Sequence, residues 1–199
     1  MMIYSLIAGH SFLRDLHGTT LAEKSCRLCL EFKSKHNAEA ICTGWVYRPG
    51  LTHQQVVEAV EIELERGVIR PYTNILLVSL DNSLANDCPR PRSPDYWVDR
   101  ILNEADRVFL FPEVKEVAIS PAHPRGKNKW LQGCALEDYN WLIEQVNEGL
   151  RSAARGSSSL EILPDIHHQG TRDGVHLDHS GIHVQQDMFC QLFSRWCRP

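Results

Sequence analysis

Ser11 is the residue whose surroundings most clearly suggest chemistry. Residues 3–8 are an apolar, β-prone run and residues 12–16 carry apolar side chains at helical spacing, so Ser11 lies in a turn between a strand and a helix. Such a turn exposes a hydroxyl at the carboxyl edge of a sheet, beside helix N–H groups that favour developing negative charge. Ser11 is therefore a candidate nucleophile, although a serine in this setting more commonly serves as a helix N-cap.

A second group of reactive side chains stands near the C-terminus. Residues 165–183 are rich in histidine, aspartate and glycine, and they lead into an amphipathic helix. Asp173 and His176 are three residues apart in this stretch. That separation lets both side chains turn to one side, so that the carboxylate can hold one ring nitrogen while the other nitrogen faces Ser11.

The remaining patterns predict the elements that position these residues. Apolar and β-prone runs predict five strands, at residues 3–8, 41–47, 75–80, 114–120 and 160–163. Helices are predicted from a capping box at residues 52–55, from the pair Ser93-Pro94, and over residues 136–150 before Gly156. Strands that alternate with helices in this way specify a three-layer α/β/α sandwich with a five-stranded parallel sheet.

The carboxyl ends of parallel strands meet at one edge of the sheet, so the turns after strands one, two, three and five can face a single crevice. Those turns hold Ser11, residues 44–50, residues 81–87 and residues 165–176. The 199 residues are 43% hydrophobic and contain no Pro/Gly/Ser-rich break, so we expect a single domain over residues 1–199.

Composition and charge disfavour several kinds of partner and location. The formal net charge is −4, and the basic residues are scattered apart from a short cluster at residues 125–129, so a nucleic-acid surface is not predicted. The apolar start lacks a basic segment and is too short to span a membrane. Seven cysteines are an odd number, and we expect reduced thiols in a cytoplasmic protein. The isolated pair Cys26 and Cys29 is attributed to chance.

Four motifs taken together resemble the SGNH, or GDSL-type, hydrolase superfamily over essentially the whole chain. They are Gly-His-Ser-Phe-Leu at residues 9–13, a glycine turn after strand two, an asparagine-bearing loop after strand three, and Asp-Gly-Val-His-Leu at residues 173–177. The Asp-x-x-His box before a final helix is the most specific of them. Gly-His-Ser in place of Gly-Asp-Ser is similar to the esterase-like domains of certain LINE-type retroelements. The resemblance implies the flavodoxin-like sandwich of that superfamily.

The resemblance also implies roles for individual residues. Ser11 would be the nucleophile, His176 the general base, and Asp173 the carboxylate that orients the imidazole and stabilises its charged form. The backbone N–H groups of Ser11 and Gly50, together with an asparagine side chain, would form the oxyanion hole. The substrate would be a small-molecule or lipid ester, and no cofactor is implied.

The chain departs from the family pattern in its first and third motifs. The family has Gly-x-Asn-Asp after strand three, whereas this chain has Asn82 and, after an insertion of a few residues, the dipeptide Asn86-Asp87. Either asparagine is a candidate oxyanion donor, and Asn86 is preferred because it preserves the dipeptide. His10 replaces the usual aspartate, and its side chain either braces the turn or is exposed. Gly50 is preferred over Gly44 because a helix start follows it.

Three functions remain open from the sequence. The first is an acyl hydrolase, and the second is a catalytically weak or inactive SGNH-fold binding or accessory module of retroelement origin. The third is a metal-dependent hydrolase that uses a histidine-rich cluster, which comprises His167, His168, Asp173, His176, His179 and His183. Ser180-Gly181 is expected to interrupt any helix that would align these histidines, so no metal site is predicted. The sequence does not indicate the oligomeric state.

Overall fold

A computed structural model describes residues 3–10, 13, 41–66, 72–88, 92–129, 131, 133–166 and 173–196. Ser11 and residues 14–40 lie outside these ranges, as does the predicted helix over residues 12–16 apart from Leu13. The described elements are β1 Ile3–Gly9, β2 Ile41–Tyr47, α1 His53–Glu65, β3 Asn74–Val78, α2 Leu80–Asp87, α3 Pro94–Phe109, β4 Glu116–Ile119, α4 Leu136–Ala154, β5 Leu160–Ile162 and α5 His179–Trp196.

The five strands form one parallel sheet in the order β2-β1-β3-β4-β5. Gly9, the last residue of β1, pairs with Tyr47 of β2 and with Val78 of β3. Because these three strands end at the same level, the residues that follow them emerge together at one edge. The predicted five-stranded parallel sheet is therefore confirmed.

Helices cover both faces of the sheet. Leu6 and Ala8 point to the face where α1, α3 and α4 pack, and Ile7 points to the opposite face, which Phe189 and Phe193 of α5 cover. The strand β3 lies in the middle of the sheet and is buried along its whole length. Alternate residues of the central strands thus contribute to two separate hydrophobic cores, as a three-layer sandwich requires.

Two helix starts agree with the capping signals in the sequence. Thr52 caps α1 in a reciprocal capping box with Gln55, and Ser93 caps α3 with Pro94 as its first helical residue. The structure differs from the sequence prediction at residues 81–87, which were expected to form a loop but belong to the helix α2. Leu80, Leu84 and Ala85 are buried, and this small apolar face stabilises a helix that is otherwise polar.

The cysteines also differ from the prediction. Cys88 and Cys134, 46 residues apart in sequence, are joined by a disulfide, so the expectation of reduced thiols is wrong for this pair. No local spacing motif links residues so far apart, and only the packing of α2 beside α4 brings them together. The pair Cys26 and Cys29 lies outside the described residues, and the cytoplasmic location stays a prediction. Within the described ranges, no helix has the length and apolar content needed to cross a bilayer.

We predict that Thr52→Ala lowers the free energy of unfolding by about 1 kcal/mol, because the N-cap hydroxyl satisfies a helix N–H that would otherwise lack a partner. In the structure the Gln55 N–H donates to Thr52 Oγ1 at 3.4 Å, and the Thr52 N–H donates to Gln55 Oε1 at 3.0 Å. Denaturant unfolding measures the change. Thr52→Ser keeps the hydroxyl and is the control, and an equal loss in both variants would show that the threonine methyl, rather than the cap, stabilises α1.

Candidate active site

Asp173 and His176 form a hydrogen-bonded pair in the turn before α5. Asp173 Oδ2 lies 2.9 Å from His176 Nδ1, while Oδ1 accepts the backbone N–H groups of Val175 at 3.0 Å and His176 at 2.8 Å. The side chains are partly exposed, at 30% for Asp173 and 17% for His176. Both side chains turn to one side, as their spacing in the sequence predicts, and the carboxylate holds the imidazole at Nδ1.

The electrostatics of this pair favour a charged carboxylate. Partial burial would raise the pKa of Asp173, but the hydrogen bonds from the His176 ring and from two backbone N–H groups outweigh it and hold the pKa well below the usual aspartate range. Asp173 therefore stays ionised at any pH at which a histidine titrates. A permanently charged carboxylate next to Nδ1 favours the tautomer that carries its proton on that nitrogen.

The Asp173 turn is held against the segment that follows β4. Gly174 has φ +84°, and a Cβ at this position would lie 2.6 Å from Lys127 Cγ, so both the backbone conformation and the available space require glycine. The Gly126 N–H donates to the Gly174 carbonyl at 2.9 Å, and Lys129 Nζ lies 3.8 Å from Asp173 Oδ2. The position of the pair is thus set by residues about fifty positions upstream.

Two asparagines of α4 anchor that upstream segment. Asn147 accepts the Ala122 N–H at 3.0 Å and donates to the Ala122 carbonyl at 2.9 Å. Asn140 binds Arg125 in the same reciprocal way, at 2.8 and 3.0 Å. Sequence reasoning missed both residues. Their only signal is a spacing of seven residues, two helical turns, which places both amides on one face of α4.

A buried carboxylate lies at the carboxyl ends of β1 and β3. Asp81 Oδ2 is 3.4 Å from His10 Nε2, and Oδ1 is 3.4 Å from His123 Nδ1 and accepts the His123 backbone N–H at 2.7 Å. The three side chains are 5% exposed or less. Burial alone would raise the pKa of Asp81, but the His123 and His10 imidazoles lower it by more, to well below the usual range. His10 therefore braces the turn and is not an exposed loop side chain.

Ser11 and Phe12 lie outside the described residues, but His10 and Leu13 on either side of them are held by hydrogen bonds. The His10 N–H donates to the Val78 carbonyl at 3.2 Å, and the Leu13 N–H donates to the His10 carbonyl at 3.0 Å. Leu13 is fully buried. The chain on both sides of Ser11 is therefore held at the carboxyl edge of β1.

The structure separates the two candidate asparagines. Asn82 lies in the first turn of α2, and its side-chain Nδ2 donates to the Leu51 carbonyl at 3.0 Å, directly after Gly50. Asn86 lies one helical turn further on and is exposed. Gly50 is in a turn with φ +83°, whereas Gly44 lies within β2, where a Cβ would meet the Tyr72 hydroxyl at 2.2 Å. Packing against Tyr72 accounts for Gly44.

A second group of a serine, a histidine and an acid is buried beside the start of α2. His53 Nδ1 lies 2.6 Å from Ser79 Oγ, its Nε2 lies 3.5 Å from Glu104 Oε2, and its backbone N–H donates to Ser83 Oγ at 2.7 Å. Burial and the nearby Arg100 charge lower the pKa of His53 to about 3, so this ring is neutral near pH 7. Ser79 and His53 are each 1% exposed, so they hold α2 against α1 and do not meet a substrate.

The histidine-rich cluster does not assemble into a metal site in the part of the chain that the structure describes. The helix α5 runs through Ser180 and Gly181, so the prediction that these residues interrupt a helix is wrong. His179 and His183 consequently lie on one face, with ring centroids 4.4 Å apart and the rings tilted by 59°. Among the described residues, no group of three or more histidines, cysteines or carboxylates is placed to hold a metal ion. His167 and His168 lie outside the described residues.

Several solved structures share this architecture. A member of the lipolytic protein G-D-S-L family from Veillonella parvula matches with a TM-score of 0.71 and 14% sequence identity, over 98% of this chain and 100% of that chain. The lipase/acylhydrolase from Enterococcus faecalis matches with a TM-score of 0.64 and 12% identity, over 100% of this chain and 98% of that chain. A carbohydrate acetylesterase from Sinorhizobium meliloti matches with a TM-score of 0.65 and 11% identity, over 98% of this chain and 99% of that chain.

No protein-family model matches the sequence, and no curated protein matches it. At sequence identities this low, the structural likeness establishes the fold. The predicted SGNH-type architecture is confirmed at that level, and the chain has the α/β/α fold of the G-D-S-L lipolytic proteins and acylhydrolases.

Proposed function

We propose that the chain is a serine esterase that cleaves a carboxylic ester through an acyl-enzyme on Ser11. The observation that carries this proposal is the Asp173–His176 pair, in which a charged carboxylate holds Nδ1 of a partly exposed imidazole at 2.9 Å. The likeness in fold to lipolytic proteins and a carbohydrate acetylesterase supports hydrolysis of an ester bond. The substrate class is a small-molecule ester.

In the proposed mechanism, His176 Nε2 takes the proton from Ser11 as its Oγ attacks the ester carbonyl. The imidazolium then gives that proton to the leaving alkoxide, and an acyl-enzyme remains. Water, deprotonated by the same nitrogen, attacks the acyl carbon and releases the acid and Ser11. Asp173 keeps the ring in its tautomer and stabilises the positive charge that appears on it in both half-reactions.

For the oxyanion hole we propose the N–H groups of Ser11 and Gly50 together with the side chain of Asn82. Asn82 lies at the carboxyl end of β3 and contacts the Leu51 carbonyl, next to Gly50. Asn86 is exposed and lies about 6 Å further along the axis of α2, at 1.5 Å per residue. These positions favour Asn82, and they reverse the preference that the Asn-Asp dipeptide suggests.

One observation favours a second candidate, an SGNH-fold binding or accessory module with little or no catalytic activity. The Asn82 Nδ2 has two N–H groups and donates one of them to the Leu51 carbonyl, so only the other can donate to a developing oxyanion, in a direction that the Leu51 bond restricts. Loss of one such donor reduces turnover by about 100- to 1000-fold. A retroelement origin is part of this alternative and rests only on the Gly-His-Ser resemblance.

We predict that a fluorophosphonate modifies Ser11 and no other serine. Peptide mapping by mass spectrometry locates the adduct. Ser11→Ala should abolish both labelling and hydrolysis of p-nitrophenyl acetate, with a thermal unfolding curve close to wild type, because a turn hydroxyl contributes at most a cap of about 1 kcal/mol. Ser79→Ala is a matched control, since Ser79 also contacts a histidine but is buried. Labelling that persists in Ser11→Ala would exclude Ser11 as the nucleophile.

We predict that kcat/KM rises with pH through one transition, because only the neutral imidazole of the general base accepts the serine proton. The lowered pKa of Asp173 keeps this carboxylate charged across the whole range, so it adds no second transition above pH 5. His176→Ala should remove nearly all activity, and Asp173→Asn should reduce it strongly through the wrong tautomer. A flat profile between about pH 5 and 8 in an active enzyme would mean that His176 is not the base.

We predict that Asn82→Ala lowers kcat by about 100-fold or more with little change in KM, since an oxyanion donor acts mainly in the transition state. Asn86→Ala is the matched control, because the same amide is removed from the same helix at an exposed position, and it should leave both constants unchanged. Steady-state kinetics on one ester measures the two variants side by side. The reverse result would assign the donor to Asn86.

A further inference from the structure

We propose that His10 and Asp81 act as one unit that positions the Ser11 turn against the oxyanion segment, with His10 as a positioning residue. The inference rests on the proposed function, because it concerns how the same site is assembled. It adds a coupling between two residues that the mechanism does not use directly. His10 directly precedes the nucleophile, and Asp81 directly precedes the proposed oxyanion donor Asn82.

The contact between Asp81 and His10 is buried. Asp81 is 3% exposed and His10 is 0% exposed, and a carboxylate removed from water is stable only when other groups neutralise it and donate hydrogen bonds to it. One carboxylate oxygen faces His10 Nε2 at 3.4 Å, and the other is occupied by His123 through its backbone N–H and its ring. His10 and His123 therefore divide the two oxygens of Asp81 between them.

The contact between the His10 ring and Asp81 links the end of β1 to the start of α2. The His10 backbone is bound at both its N–H and its carbonyl, to Val78 and Leu13, and the ring adds a contact to the helix that starts after β3. The residue that directly precedes Ser11 is therefore fixed through both its backbone and its side chain. Because the ring contact ends on Asp81, it links the residue before Ser11 to the first turn of α2.

A chain of contacts connects Asp81 to the turn that carries Asp173 and His176. Asp81 binds His123, and the segment that contains His123 is anchored by Asn147 and continues to Gly126, which donates to Gly174 in the Asp173 turn. The carboxylate of Asp81 is thus a common contact for the nucleophile turn, the oxyanion segment and the segment that supports the base. A displacement of about 1 Å among such groups can lower a rate by about 100-fold.

The test is a double-substitution cycle with His10→Asp, Asp81→Asn and the two combined. Position 10 holds aspartate in the family motif, so the substitution fits a turn of this kind, but next to Asp81 it places two carboxylates together in a buried site. His10→Asp alone should lower kcat by about 100-fold with KM little changed. Adding Asp81→Asn removes one of the charges and should restore at least about tenfold of that loss, and the rate of fluorophosphonate labelling at Ser11 should follow kcat.

Asp87→Asn combined with His10→Asp is the matched control. Asp87 is a carboxylate on the same helix, but it binds Trp97 Nε1 and the Arg92 N–H and does not contact His10, so it should give no recovery. His10→Gln provides a second variant if His10→Asp does not fold, since its amide can donate to Asp81. It should keep kcat within about tenfold of wild type, whereas His10→Leu should not.

The outcomes separate this inference from the proposed function. If the wild-type protein neither hydrolyses esters nor reacts at Ser11, the proposed function fails, and denaturant unfolding of the same four proteins then decides the coupling. Coupled unfolding free energies would support the unit, and additive ones would overturn it. If the protein is active, additive losses in kcat, recovery with Asp87→Asn, or coupling seen in unfolding but absent from kcat and labelling would each overturn the positioning role.

Discussion

The backbone of Gly9 is the constraint on which the arrangement of the site depends. Gly9 ends β1 between β2 and β3, and a Cβ at this position would lie 2.3 Å from the Val78 carbonyl oxygen, a distance that no other residue type could accommodate. Its own carbonyl accepts the Arg48 N–H at 3.2 Å. The three strands can therefore end at one level only because residue 9 has no side chain. The described residues that follow these strands, among them His10, Gly50 and Asn82, reach the same edge for that reason.

Features that depend on local patterns could be predicted from the sequence, and features that depend on distant contacts could not. The strand β3 and the cap at Thr52 are visible as an apolar run and as a four-residue motif, and the Asp173–His176 pair is visible as a spacing. The helix α2 was missed because its apolar face consists of only two leucines and an alanine, too few for a helical period. The disulfide from Cys88 and the amide pairs of Asn140 and Asn147 join segments far apart in sequence, so no window of the sequence contains both partners.

The start of α2 is held by three buried histidines, which make two separate sets of contacts. His53 contacts Ser79 and Ser83, and burial with a nearby positive charge lowers its pKa to about 3, so it acts as a neutral hydrogen-bonding group. His10 and His123 instead surround a carboxylate whose pKa lies well below its usual range. A network around a neutral imidazole and a cluster around a charged carboxylate therefore alternate along residues 79–83, with His53 at Ser79 and Ser83 and the two other imidazoles at Asp81. Each compensates the desolvation of its own polar groups, which explains why so polar a turn can be buried.

The first turn of α2 also explains how one short segment can serve two purposes. Successive helical residues point about 100° apart, so Asp81 and Asn82 cannot face the same neighbour. Asp81 points inward to the imidazoles at the ends of β1 and β4, while Asn82 points to the loop after β2, where it meets the Leu51 carbonyl. The carboxylate can thus anchor the helix to the sheet edge while the amide beside it stays close to the loop that carries Gly50. The fold is shared with proteins only 11 to 14% identical. The fold alone does not require that one residue of this turn contacts the sheet edge and the next contacts the loop that carries Gly50. The different contacts of Asp81 and Asn82 follow from having an acid and an amide side by side. Catalysis as proposed therefore depends on these two residues and on the Asp173–His176 pair.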